Sequence, residues 1–220
     1  MTGDERLEPK HLTVPRSARY YTLGGEAGAE EVWICLHGYS MLARSFIRWF
    51  SPAATPHRLI VAPEALNRFY TDHVNRKVGA TWMTSEDRLA EIADYVRYLA
   101  LLLDEVGAGA GGPRFEVHAF SQATATACRW VAFGRVRPAR LVLWAGGVPP
   151  DLDLADHGSA LTAANLVLVL GDRDEFISEG RIADEVARLE AAGVRFDLRR
   201  FRGGHTIPWP EIERLTSGAS

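Results

Sequence analysis

The sequence predicts an α/β protein: a mostly parallel central sheet of about eight strands, with helices on both faces. The strand candidates read as solid apolar runs, EVWICL, RLIVA, RLVLWA and NLVLVL among them, as strands buried on both faces do. Stretches with helical apolar spacing lie between them, so strand and helix alternate along most of the chain. Composition agrees, with 47% hydrophobic and 24% charged residues. A chain of this length buries roughly 70% of the surface its unfolded form exposes, enough for a full core without staples.

Residues 1–10 are polar and mixed in charge and are expected to form a loose tail. Residues 11–14 and 19–23 flank Pro15 and read as a starting hairpin. A loop with several glycines follows at 24–30, and then a buried strand at 31–36, ending at His37-Gly38-Tyr39. Apolar residues at 42, 46, 49 and 50 predict a helix over 41–50 that stops before Pro52. Residues 58–62 form a second buried strand, ended by Pro63. The segment 64–84 is long, mixed and aromatic, with no clear period, and reads as an ordered functional loop.

A helix is expected over 85–106, with Ser85 as its cap and Glu86 and Asp87 favouring the dipole of the first turn. Its apolar face carries Leu89, Ile92, Ala93, Val96, Leu99, Ala100 and Leu103. The glycine-rich stretch 107–113 leads to a strand at 115–120 and a helix at 121–133. A strand at 140–145 precedes an irregular stretch over 149–164 and a strand at 165–170. Residues 178–192 form an amphipathic helix with Ile182, Val186 and Leu189 on one side, stopped by Gly193. In 194–201, Val194, Phe196 and Leu198 alternate with Arg195, Asp197 and Arg199, as in a strand at a sheet edge. Pro208 opens a last helix through about Leu215. Nothing reads as a linker, repeat or low-complexity stretch, so residues 1–220 are expected to be one domain.

Charge excludes some classes of function. Lys and Arg number 25 against 28 Asp and Glu, a formal net charge of −3, whereas a nucleic-acid binder is usually basic. No apolar stretch approaches the ~20 residues of a membrane helix, and the polar start is not that of a signal peptide. Cys35 and Cys128 sit in apolar runs and read as buried free thiols of a reducing compartment. A cytoplasmic protein with a small-molecule partner is expected, and the sequence leaves room for a homodimer.

In open α/β sheets ligands bind beyond the C-terminal ends of the strands. There stand His37-Gly38-Tyr39, Ser121-Gln122, Gly171-Asp172-Arg173-Asp174 and Gly204-His205. Ser121 lies directly between a strand and a helix, with small Ala119 and Ala123 two residues away on either side. A nucleophile elbow needs small flanks there, because strand and helix approach closely. A serine at a helix start is also an ordinary cap. Serine, aspartate and histidine in that chain order favour the nucleophile. His205, after two glycines that let the chain bend back, is the candidate base. Asp172 and Asp174 compete to orient it, and Asp174 is favoured because the turn Gly171-Asp172-Arg173 comes first. His37 is read as holding its loop and His118 as a packed core group. Backbone N–H groups of Tyr39 and Gln122 would form an oxyanion hole, the latter at a helix N-terminus.

Together, Leu36-His37-Gly38-Tyr39, Phe120-Ser121-Gln122, Gly171-Asp172-x-Asp174 and Gly204-His205-x-Ile207-Pro208 resemble the α/β-hydrolase fold. More narrowly they are similar to its phospholipase/carboxylesterase branch, which includes acyl-protein thioesterases. The resemblance spans residues 32–207 and departs from Gly-x-Ser-x-Gly in its alanine-flanked elbow. It implies a serine hydrolase of carboxylic esters or thioesters, with no cofactor, no metal and at most a small lid. Ser121, His205 and Asp174 would be its triad. The substrate pocket is expected from Leu42, Phe69, Tyr70, Trp82, Met83 and Val148, although aromatic residues in a long loop more often form its anchoring core. Arg68, His73, Arg76 and Lys77 either greet an anionic group or form a solvated face.

Overall fold

The computed structural model describes residues 9–25 and 28–217; residues 1–8 of the expected tail lie outside them. The strands are β1 (Tyr20–Gly24), β2 (Glu31–Leu36), β3 (Arg58–Pro63), β4 (Asn67–Asp72), β5 (Lys77–Thr81), β6 (Arg114–Phe120), β7 (Arg140–Trp144), β8 (Leu166–Gly171) and β9 (Phe196–Phe201). The helices are α1 (Ala43–Phe46), α2 (Arg88–Glu105), α3 (Gln122–Phe133), α4 (Leu154–Ala163), α5 (Glu179–Ala191) and α6 (Trp209–Ser217).

The central sheet has seven strands, ordered β1-β3-β2-β6-β7-β8-β9. Only β1 runs antiparallel, pairing Tyr20 with Pro63 through Gly24 with Leu59; the other neighbours are parallel. β2 shows why the apolar runs are solid. Val32, Ile34 and Leu36 pack into the core under α2 and α3, while Trp33 and Cys35 pack into the one under α1 and α6. Cys35 and Cys128 are buried and unpaired.

Several elements differ from the sequence expectation. The eighth strand, at 11–14, is absent: Leu12 and Val14 are exposed, and His11 instead reaches Asp87 at 2.8 Å. The stretch read as a loop over 64–84 holds the two-stranded ribbon β4–β5. Its alternation is hidden because both faces carry polar residues. Its turn is made by Asp72, whose carboxylate accepts the N–H groups of Val74 and Asn75 at 2.9 and 3.0 Å. The helix at 41–50 shortens to α1 and continues as a 3-10 segment, Ile47–Ala53, running through Pro52.

α2 begins at Arg88, not at 85, after Asp87 in the left-handed region (φ 46°). Ser85 does not cap it. Instead the Glu91 carboxylate takes the Thr84 N–H and the Asn67 amide, folding the preceding turn outward. The buried stripe is therefore Ile92, Tyr95, Leu99, Leu102 and Leu103, with Leu89 in solvent. The region read as irregular contains α4, whose period Gly158 obscures; Asp153 caps it by accepting the Ala155 N–H at 2.8 Å.

One buried ionic cluster lies beneath the sheet's central strand β6. The Glu116 carboxylate, wholly buried, accepts from Arg140 Nε and Nη2 at 2.9 and 3.0 Å and from Arg114 at 2.9 Å. His118 Nε2 stands 3.4 Å away, and its ring stacks on Trp33 at 4.1 Å. Burial works against the Glu116 charge, but the His118 ring and the Arg140 guanidinium outweigh it and hold the carboxyl at about 2. A carboxyl depressed in the folded state stabilises fully above its unfolded value of about 4.3, and that contribution is lost as pH falls through the folded value. Glu116→Gln is therefore expected to cost on the order of 3 kcal/mol at neutral pH. It is also expected to remove one proton's worth of acid destabilisation below pH ~4.3, measured by urea unfolding across that range.

Candidate active site

The site is built where β2, β6, β8 and β9 end. β6 stops at Phe120 and α3 starts at Gln122, so Ser121 alone turns the chain. It does so at φ 55° and ψ −118°, a strained conformation for a residue with a side chain. Packing holds it there. Ala119 and Ala123 are fully buried on either side, the Ser121 N–H donates to the Trp144 carbonyl at 2.9 Å, and its carbonyl accepts the Thr124 hydroxyl at 2.9 Å. The Ser121 hydroxyl caps nothing in α3. It lies 2.8 Å from His205 Nε2.

His205 stands on the loop after β9, between the rings of Phe120 and Phe176 at 4.9 and 4.8 Å. Its Nδ1 is 2.8 Å from Asp174 Oδ2. The Asp174 side chain is 1% exposed, and its other oxygen accepts the Phe176 N–H at 2.8 Å. Asp172 does not face the imidazole; it accepts the Gly203 N–H at 2.9 Å and so braces the β9 loop against the end of β8. Ser121, His205 and Asp174 thus form one hydrogen-bonded chain drawn from three strand ends.

The Tyr39 loop is held from below. The buried His37 ring accepts the Ala65 N–H on Nε2 at 3.0 Å, so Nδ1 carries the proton and donates to the Gly38 carbonyl at 2.8 Å. Burial lowers the affinity of this ring for a second proton. The Trp82 indole N–H donates to the His37 carbonyl at 2.8 Å. From above, the Ser40 N–H donates to Ala80 and the Ala80 N–H to Met41. β5 comes so close that a side chain at Gly79 would collide with the Ser40 carbonyl. Among the described residues, the backbone N–H groups of Tyr39 and Gln122 meet no acceptor.

Sequence reasoning missed the Gln122 side chain. Its amide nitrogen donates to Thr81 Oγ1 at 2.9 Å and to the Met83 carbonyl at 3.0 Å, and its oxygen accepts the Trp82 N–H at 3.2 Å. It ties the start of α3 to the ribbon that carries the Tyr39 loop. No local pattern announces such a link; it depends on residues about 40 positions away.

A cleft of about 570 Å³ opens beside Ser121 and His205. It runs toward the loop after β7 and toward α5. Of the six residues expected to line a pocket, Val148 lines it and Leu42, Phe69, Tyr70, Trp82 and Met83 do not. Leu42 and Met83 pack against the core, buried Trp82 holds His37, Phe69 leans on Tyr39 at 5.3 Å, and Tyr70 is exposed. Phe69 and Trp82 thus anchor the ribbon to the Tyr39 loop. In the basic group of the ribbon, Arg68 pairs with Glu64 at 3.2 Å, while His73, Arg76 and Lys77 are exposed around the turn. The α5 wall of the cleft, with Arg181, Glu185 and Arg188, was not foreseen. Its signal was present: Ile182, Glu185 and Leu189 share a helical face, which puts a charge on the apolar stripe. Among the described residues no three His, Cys, Asp or Glu side chains converge as a metal site, and no helix is long and apolar enough to cross a membrane.

No family model and no curated protein matches the chain. Solved structures do. Acyl-protein thioesterase 2 of Zea mays superposes with a TM-score of 0.69 at 16% identity, over 91% of this chain and 97% of that one. Esterase PE8 gives 0.64 at 21% identity, over 92% and 97%. A phospholipase/carboxylesterase of Dyadobacter fermentans gives 0.60 at 16%, over 94% and 99%. The chain has the α/β-hydrolase fold, with a seven-stranded sheet and the β4–β5 ribbon set apart.

Proposed function

We propose that this protein is a serine hydrolase that cleaves carboxylic esters of small or medium acyl groups through an acyl-enzyme. The observation that carries this reading is the Ser121–His205–Asp174 chain, with both contacts at 2.8 Å and the serine held on a strained strand-to-helix turn. Ser121 Oγ attacks the acyl carbonyl while His205 Nε2 takes its proton. Asp174 fixes the proton on Nδ1 and stabilises the imidazolium. The developing oxyanion sits on the amides of Tyr39 and Gln122, each worth about 3 kcal/mol in comparable sites. His205 then protonates the leaving alcohol, and water activated by the same imidazole releases the acid.

The unspent amides of Tyr39 and Gln122 support the oxyanion assignment, since neither has another acceptor among the described residues. The names of the esterase, thioesterase and carboxylesterase neighbours support acyl transfer as the reaction class. A thioester follows the same path with a thiolate leaving group, and the maize thioesterase makes it the second substrate class to assay. Buried free thiols fit a reducing compartment, and a cytoplasmic location is part of this reading. The test is labelling with a fluorophosphonate probe. The native chain is expected to label, and Ser121→Ala and His205→Ala are expected not to. A folded native chain that fails to label would leave the fold without this chemistry.

A further inference from the structure

The cleft beside Ser121 has two kinds of wall. Ala125, Val148, Leu168, Leu170 and Ile182 are apolar, whereas the charged lining is Arg129 and, from α5, Arg181, Asp184, Glu185 and Arg188. Glu185 and Arg188 form one clamp on the loop after β7. Glu185 Oε1 accepts the Val148 N–H at 2.7 Å, and Arg188 Nη2 donates to the Val148 carbonyl at 2.8 Å. Across the clamp, Arg188 Nε and Nη2 donate to Glu185 Oε2 at 3.0 and 2.9 Å. A Cβ built at Gly147 would stand 2.9 Å from Glu185 Oε1, so the carboxylate lies directly against the loop leaving β7. The side chains are only 18% and 30% exposed. The proposed acyl transfer uses neither of them.

An alkyl chain in a wholly apolar channel gains about fourfold in binding per methylene buried. Here that gain stops where the chain meets the pair, because a methylene laid on Glu185 and Arg188 strips water from two charges and returns no hydrogen bond. Resting on the hydrolase reading above, we propose that Glu185 and Arg188 set the length of the ester substituent seated beside Ser121, and that the cleft selects short groups over long unbranched alkyl chains.

The substituent is either the acyl or the alcohol part, and two ester series tell them apart. One varies the acyl group of p-nitrophenyl esters from acetyl to lauroyl, and the other varies the alcohol of acetates from methyl to dodecyl. In one series, kcat/KM of the native chain is expected to rise over the first members and then fall by at least about tenfold at the longest. The variant carrying Glu185→Gln and Arg188→Met removes both charges and keeps an acceptor for the Val148 N–H. Its long-to-short ratio of kcat/KM is expected to rise at least about tenfold in the same series. If that variant does not fold, Glu185→Gln alone is read by the same ratio. A native profile that climbs to the longest chain in both series overturns the proposal, as does a folded variant with the native ratio. Absence of turnover on every ester, with no fluorophosphonate labelling, overturns the hydrolase reading and this inference with it. Labelling and turnover with an unbroken climb overturn the inference alone.

Discussion

Ser121→Ala is expected to lower kcat on a short p-nitrophenyl ester by on the order of 10⁵- to 10⁶-fold, and His205→Ala by a similar factor. The double variant is expected to be no worse than either single one. In the proposed mechanism the serine and the imidazole act as a unit: Ser121 Oγ becomes a nucleophile at neutral pH only by passing its proton to the Nε2 that stands 2.8 Å away. Removing one member therefore leaves the other nothing to do, and the losses do not add. Residual turnover of roughly 10³-fold over water is expected from binding and the Tyr39 and Gln122 amides alone. Two outcomes would count against the assignment. Losses that multiply in the double variant would mean that the two residues act in separate steps, and a Ser121→Ala variant within tenfold of the native rate would mean another nucleophile. Circular dichroism of the variants is expected to be native, since alanine carries the same Cβ as serine and meets the φ of 55° at position 121 at no greater steric cost.

The legible parts of this molecule were those written in local pattern. The solid runs of β2, β7 and β8 are apolar because both sheet faces are covered. The candidate triad followed from them, since Ser121, Asp174 and His205 each stand within a few residues of a strand's C-terminal end. The β4–β5 ribbon was illegible for a physical reason. It adds no strand to the central sheet, so alternating burial is weak, and its register is fixed by contacts with Ser40 and Met41 far along the chain. The cleft beside Ser121 escaped the sequence by the same fact: of the two readings open to the aromatic residues of that segment, substrate wall or anchor, Trp82 and Phe69 follow the second, packing against His37 and Tyr39. The start of α2 depended on Glu91 reaching back to Thr84 and Asn67, a tertiary choice that outweighed Ser85 as a local cap.

The choice between Asp172 and Asp174 yields the other large expected effect. Asp174→Asn is expected to cost about 10⁴-fold in kcat with little change in thermal midpoint. The geometry gives the reason. One Asp174 oxygen accepts the Phe176 N–H at 2.8 Å. The substituted amide must keep its carbonyl there and turn its NH₂ toward His205 Nδ1. That nitrogen then becomes an acceptor, the imidazole proton moves to Nε2, and Nε2 can no longer take the proton of Ser121. Asp172→Ala is expected to do the reverse. It removes the acceptor of the Gly203 N–H, 2.9 Å away, so it costs about 1 kcal/mol of stability and changes kcat by less than about threefold. Paired measurements of kcat and of urea unfolding on the two variants separate the roles. If the rate fell in Asp172→Ala and held in Asp174→Asn, the two carboxylates would have to exchange places in the mechanism, and the 2.8 Å contact between Asp174 and His205 would be a packing feature of the loop.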